Sequence, residues 1–97
     1  MEAVLEAIVG KILSYKSAEK IVLFGSRART SHEPTSDIDI AIVDPAWTRD
    51  DVALAHDRVE EEVQTPLKID ILALHLISNQ RLRDRIRSEG KVLYERT

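Results

Sequence analysis

Five residues in this sequence have the types and the spacing for metal-assisted chemistry on phosphate: Gly25, Ser26, Asp37, Asp39 and Asp70. Asp37 and Asp39 stand at i and i+2 in the alternating run Asp37-Ile38-Asp39-Ile40-Ala41-Ile42-Val43. On a strand both therefore point to one face, about 6.5 to 7 Å apart at their backbones. Held together without a cation they would repel, and one would have to take up a proton. A divalent cation removes that conflict, and the ion suited to a few carboxylates plus the phosphate oxygens of a nucleotide is Mg2+. Asp70 sits within a second alternating segment, 67–72, on the face shared by Lys68 and Leu72. From a neighbouring strand, about 4.8 Å away, it could reach the same region. The competing reading of Asp70 is a surface ion pair with Lys68, worth under about 1 kcal/mol.

The complementary half is the turn Gly25-Ser26. A backbone without a Cβ and the free amides at a helix start can bind phosphate oxygens, and the Ser26 hydroxyl adds a donor. Ser26 is also placed to cap a short helical turn over Arg27, Ala28 and Arg29. These two arginines either contact phosphate or form local ion pairs, and Arg29 is assigned to the nucleotide-binding set. Taken singly, a glycine-serine turn is an ordinary strand-to-helix connection and an Asp-x-Asp pair a solvated strand end. Their joint occurrence with Asp70 carries the chemical reading.

The elements that must position these residues follow from periodicity. Leu5, Ile8, Val9, Ile12 and Leu13 form an apolar stripe that predicts an amphipathic helix over 2–16. Ile21-Val22-Leu23-Phe24 is a continuous apolar run stopped by Gly25, a buried strand. The Asp/Ile alternation over 37–43 predicts a second strand. Thr48 is a candidate N-cap with Asp51 three residues on, opening a helix that ends near Gln64, ahead of Pro66. Residues 67–72 predict a third strand. Ser78 or Asn79 would cap a third helix, packed through Leu82 and Ile86 and closed by Gly90. Residues 91–95 make a last short strand. The order describes a small α/β domain of helices on a mixed sheet, with one domain over 1–97.

Composition narrows the function classes. With 97 residues and 43% hydrophobic content the chain supports one modest core, and it has no cysteine for disulfides or thiolate metal sites. Met1-Glu2 opens no signal peptide, and no apolar run reaches membrane-span length, so a cytoplasmic location without membrane association is expected. A net charge of −3 argues against direct nucleic-acid binding. Arg81, Arg83, Arg85 and Arg87 spread around a helix and read as a solvated face. His32, His56 and His75 have no ligand spacing on one element and read as ordinary loop, helix and strand-end residues. Trp47 is expected to pack a loop onto the core, and Tyr94 to be structural.

The stretch Leu23-Phe24-Gly25-Ser26-Arg27-Ala28-Arg29, ten residues between Ser26 and Asp37, and then Asp37-Ile38-Asp39 resemble the glycine-serine-x10-Asp-x-Asp signature of the DNA polymerase β-like nucleotidyltransferase superfamily. Ser36 matches the serine that commonly precedes the paired acids. Within that superfamily the short length is similar to the minimal nucleotidyltransferases, many of which are encoded beside a HEPN-domain protein. The resemblance implies an α/β (α+β) core of about four strands covered by about three helices. It implies that Gly25 and Ser26 hold the triphosphate, expected to be that of ATP, and that Asp37 and Asp39 bind two Mg2+ ions; Ser36 joins Arg29 in the candidate nucleotide-binding set. Asp70 would be the third metal ligand and would help deprotonate the attacking hydroxyl, as in two-metal chemistry. One departure is Thr30, where the family commonly has glycine. If that position were left-handed, a β-branched residue would cost about 1 to 2 kcal/mol.

By the same resemblance the expected activity is transfer of AMP to a hydroxyl of a partner protein, as the antitoxin of a HEPN toxin pair, since the chain leaves no room for an acceptor domain. Two alternatives stay open. One is a non-catalytic binding module that covers its partner's active site, and the other a small-molecule transferase of aminoglycoside type. A homodimer or a hetero-oligomer fits either.

Overall fold

The computed structural model describes residues 2–29 and 34–96. Along the chain it forms α1 (Glu2–Tyr15), β1 (Lys20–Phe24), a 3₁₀ turn (Gly25–Ala28), β2 (Ile38–Val43) and α2 (Arg49–Glu62). β3 (Ile69–Ala73), a second 3₁₀ turn (Leu74–Leu76), α3 (Gln80–Glu89) and β4 (Lys91–Glu95) follow. The four strands make one mixed sheet in the order β3-β2-β1-β4. β1 is antiparallel to both β2 and β4, whereas β2 and β3 run parallel, with α2 as the crossover between them.

Strand alternation divides the core between the two faces of the sheet. Ile21, Leu23, Ile38, Ile40, Ile42, Ile69 and Ile71 turn to one face, against Ile8 and Ile12 of α1 and Ala55 and Val59 of α2. Val22 and Ala41 turn to the other, against Leu74 and Ile86, with Leu82 of α3 packed beside them. Each fully buried isoleucine contributes about 1.5 to 3 kcal/mol of transfer free energy. That investment fixes β2, an interior strand, in the one register that directs Asp39 to the α3 face.

The helix ends follow local chemistry. Thr48 Oγ1 accepts from the Asp51 amide at 3.1 Å while Asp51 Oδ2 accepts from the Thr48 amide at 2.9 Å, a reciprocal capping box. Of the two candidates for α3, Asn79 is the cap, its Oδ1 accepting from Leu82 N at 3.1 Å. Gly90 does close α3, but at φ −67°, so no left-handed turn is involved. The glycine is required by crowding, because a Cβ there would stand 2.3 Å from the Ile86 carbonyl oxygen and 2.4 Å from Val22 Cγ1. Trp47 is buried and donates from Nε1 to the Ser17 carbonyl at 2.9 Å, packing its loop onto the core. No helix among the described residues is long and apolar enough to cross a membrane.

Candidate functional site

The glycine-serine turn and the acids meet at one end of the sheet. Phe24, the last residue of β1, is the register partner of Asp39 on β2, and Gly25 follows it immediately. Gly25 has φ +74°, the left-handed region that favours glycine, and a Cβ placed on it would lie 2.4 Å from Asp39 Oδ2. The Asp39 carboxylate is thus laid against the backbone of the turn. Ser26 lies within the 3₁₀ turn and is exposed, but it is not its cap. Phe24 holds the N-cap position with no side-chain bond, and the Ser26 carbonyl accepts from the Arg29 amide at 3.1 Å. The turn begins at Gly25, whose φ is positive, two residues earlier than a serine cap at position 26 would start it.

On the other flank Asp39 and Asp70 are register partners of parallel strands, so both carboxylates leave the sheet on the α3 face from backbones about 4.8 Å apart. Asp37 lies one residue before β2 and is exposed, so the strand begins at Ile38 and not at Asp37. Burial is the main force that raises the Asp39 carboxyl above the usual carboxylate range; the charges of Asp70 and then Asp37 add to it, while Lys68 opposes them. Asp70 also stands 3.9 Å from Lys68 Nζ. With the two side chains 43% and 68% exposed, that pair contributes under about 1 kcal/mol. Asp70 therefore has both of the neighbours expected of it. Among the described residues no three His, Cys, Asp or Glu side chains form a ready-made ion cage.

Two residues take roles here that the sequence reading did not assign to them. Arg27 is buried, and its Nε donates to the Ser36 carbonyl at 2.8 Å and its Nη2 to the Pro34 carbonyl at 2.6 Å. It ties the turn after β1 to the segment leading into Asp37. His56 of α2 meets the Ile69 carbonyl at 2.8 Å, beside Asp70. Neither could be read from the sequence, since both partners are backbone carbonyls, which no side-chain pattern announces. Arg29 is exposed and stands 3.9 Å from Glu89 of α3. Ser36 is half-buried and presents its carbonyl to Arg27. Thr30 and His32 lie outside the described residues.

A cleft of about 660 Å³ opens along β3, between α2 and the start of α3. Asp70, Leu72, His56 and Asn79 are among its lining residues, so Asp70 belongs both to the acid group and to the cleft wall.

The chain belongs to the nucleotidyltransferase family described as "Polymerase beta, Nucleotidyltransferase", which matches residues 6–97. Its fold is shared with the crystal structure of a mutant of the toxin-antitoxin MntA-HpeT, at a TM-score of 0.76 and 17% identity over 96% of this chain and 74% of that one. A toxin-antitoxin structure with AMP-PNP superposes at a TM-score of 0.77 and 19% identity, with the same coverage. A nucleotidyltransferase-like protein from Sulfolobus solfataricus, solved at 1.40 Å, gives 0.62 and 24% identity over 99% of this chain and 81% of that one. No curated protein matches the sequence. At these identities the solved structures establish the small mixed-sheet nucleotidyltransferase core.

Proposed function

We propose that this chain transfers AMP from ATP to a hydroxyl of a partner protein, as the cytoplasmic antitoxin of a HEPN toxin pair. The observation that carries the reading is the convergence of Gly25, Asp39 and Asp70 at one sheet end within a chain of the nucleotidyltransferase family. The toxin-antitoxin neighbours, one of them holding AMP-PNP, support the choice of nucleotide and of a protein acceptor.

The donor set fits Mg2+. Hard carboxylate oxygens from Asp37, Asp39 and Asp70 repel one another without a cation, and Mg2+ accepts a few such ligands completed by water and phosphate oxygens. When bound, two such ions would neutralise charge on the triphosphate and on the attacking and departing oxygens. Gly25 and Ser26 offer backbone amides and a hydroxyl to the phosphates, with Arg29 and Ser36 beside them. Asp70 lines the cleft, and a protein hydroxyl entering there gives its proton to Asp70 as the oxygen attacks the α-phosphorus. The bond to the α-phosphorus forms, the bond between the α-phosphorus and its bridging oxygen breaks, and pyrophosphate leaves.

Incubation with Mg2+ and a HEPN-domain partner encoded beside this chain tests it, using ATP labelled at the α- or the γ-phosphorus in parallel. Label on the partner from the α-position alone is the expected result. Label from the γ-position, or none from either, defeats the proposal.

A further inference from the structure

Among the described residues β3 is an edge strand with β2 as its one strand neighbour, so no strand of the sheet holds its outer side. Ile38 N–H donates to the Lys68 carbonyl at 2.9 Å, which turns the backbone of Lys68 toward β2. By strand alternation Asp70 turns its backbone the same way, and Ile69 turns outward. There the Ile69 carbonyl meets His56 Nε2 at 2.8 Å. A carbonyl oxygen only accepts, so Nε2 carries the hydrogen. Glu60 Oε1, one turn along the same helix, lies 3.3 Å from that nitrogen, a second and longer acceptor contact. α2 itself is anchored by buried Ala55 and Val59, so the donor stands on a fixed support.

We propose that His56 is a positioning residue for Asp70: by tying the peptide plane that leads into Asp70 to α2, it holds the edge strand where Asp70 faces Asp39. The need for such a tie follows from charge. The charges of Asp70 and Asp37 act against that of Asp39, and β3, with no strand on its outer side among the described residues, is the element able to yield. The inference rests on the acids being a metal site, as proposed above. Its readout is therefore ion binding as well as transfer.

The test compares full-length wild type, H56A, H56Q, H56N, D70N and H56A/D70N by Mn2+ titration, read from paramagnetic broadening of amide signals, and by the Mg2+ dependence of transfer. H56A is expected to raise the Mn2+ concentration for half-saturation by about 10-fold, the lower end for losing an outer-shell partner. H56Q, whose amide reaches the Ile69 carbonyl, recovers most of that loss, and the shorter H56N does not. H56A/D70N is no worse than D70N, because the tie acts only through Asp70. Wild-type affinity in H56A overturns the proposal, and so does a full additive loss in the double variant. Should H56A fail to fold, equal affinities of H56Q and H56N overturn it. Wild type that binds Mn2+ but transfers nothing defeats the functional reading alone, and the H56A comparison still decides this one. Wild type that binds no Mn2+ overturns both.

Discussion

Gly25 and Asp39 are in a contact that excludes any side chain between them: a Cβ on Gly25 would stand 2.4 Å from Asp39 Oδ2. The residue is also left-handed, at φ +74°. G25A therefore suffers twice, about 1 to 2 kcal/mol from the backbone and a further cost from displacing the carboxylate. The expected outcome is a lower Tm together with transfer reduced far more than stability alone explains, measured by thermal denaturation and by rate at a temperature where the variant is folded.

Arg27 governs the approach to Asp37. R27M removes charge-assisted bonds to two loop carbonyls, worth about 1.5 to 3 kcal/mol each at most. R27K keeps the charge without the fork that serves both carbonyls. We expect both variants to lose transfer, R27M more than R27K. If Arg27 instead bound phosphate, R27K would leave kcat intact and change KM for ATP.

Asp39 and Asp51 predict opposite pH dependences. The folded carboxyl of Asp39 is held above its ordinary value near about 3.9, so its contribution to stability is full below that value and is lost as pH rises through the raised one. D39N is expected to raise the Tm of the metal-free protein at neutral pH by a few degrees and to abolish transfer. The Asp51 carboxyl is held far below the usual range, first by Lys16, then by the Thr48 amide and Tyr15. Its contribution is full above about 3.9 and is lost as pH falls through the depressed value. Acid titration of D51N should accordingly lack part of the low-pH loss seen in wild type.

The start of α2 is a local and separable contribution. T48A removes the acceptor for the Asp51 amide and is expected to cost about 1 kcal/mol, a fall in Tm of about 4 to 8 °C, with kcat unchanged. Calorimetry paired with a transfer assay checks it.

Much of this fold is legible in the sequence because its elements follow local rules. The apolar run at Ile21, the Asp/Ile alternation and the Thr48 capping box each became the expected element, within a residue or two at most ends. The turn after β1 was less legible. Its start depends on the φ of Gly25, which is set by the Asp39 carboxylate lying against it, a contact across fourteen positions of chain. Gly90 shows the same limit from the other side: a closing glycine was readable, but its reason is Val22, on a distant strand. The acids could be placed on one face by period two, whereas the pairing of Asp39 with Asp70 depends on the parallel register of β2 and β3. The roles of Arg27 and His56 escaped because each works on a backbone carbonyl oxygen, which no side-chain pattern marks.

The central claim is that Asp37 and Asp39 serve adenylyl transfer to a partner protein, and the most direct test is the intact mass of that partner after incubation with ATP and Mg2+. With the wild-type chain the account predicts a mass increase of one or more adenylyl groups on the HEPN partner, and with D37A/D39A no increase while the two proteins still bind. An unmodified partner with the wild type, or equal modification by D37A/D39A, would contradict it.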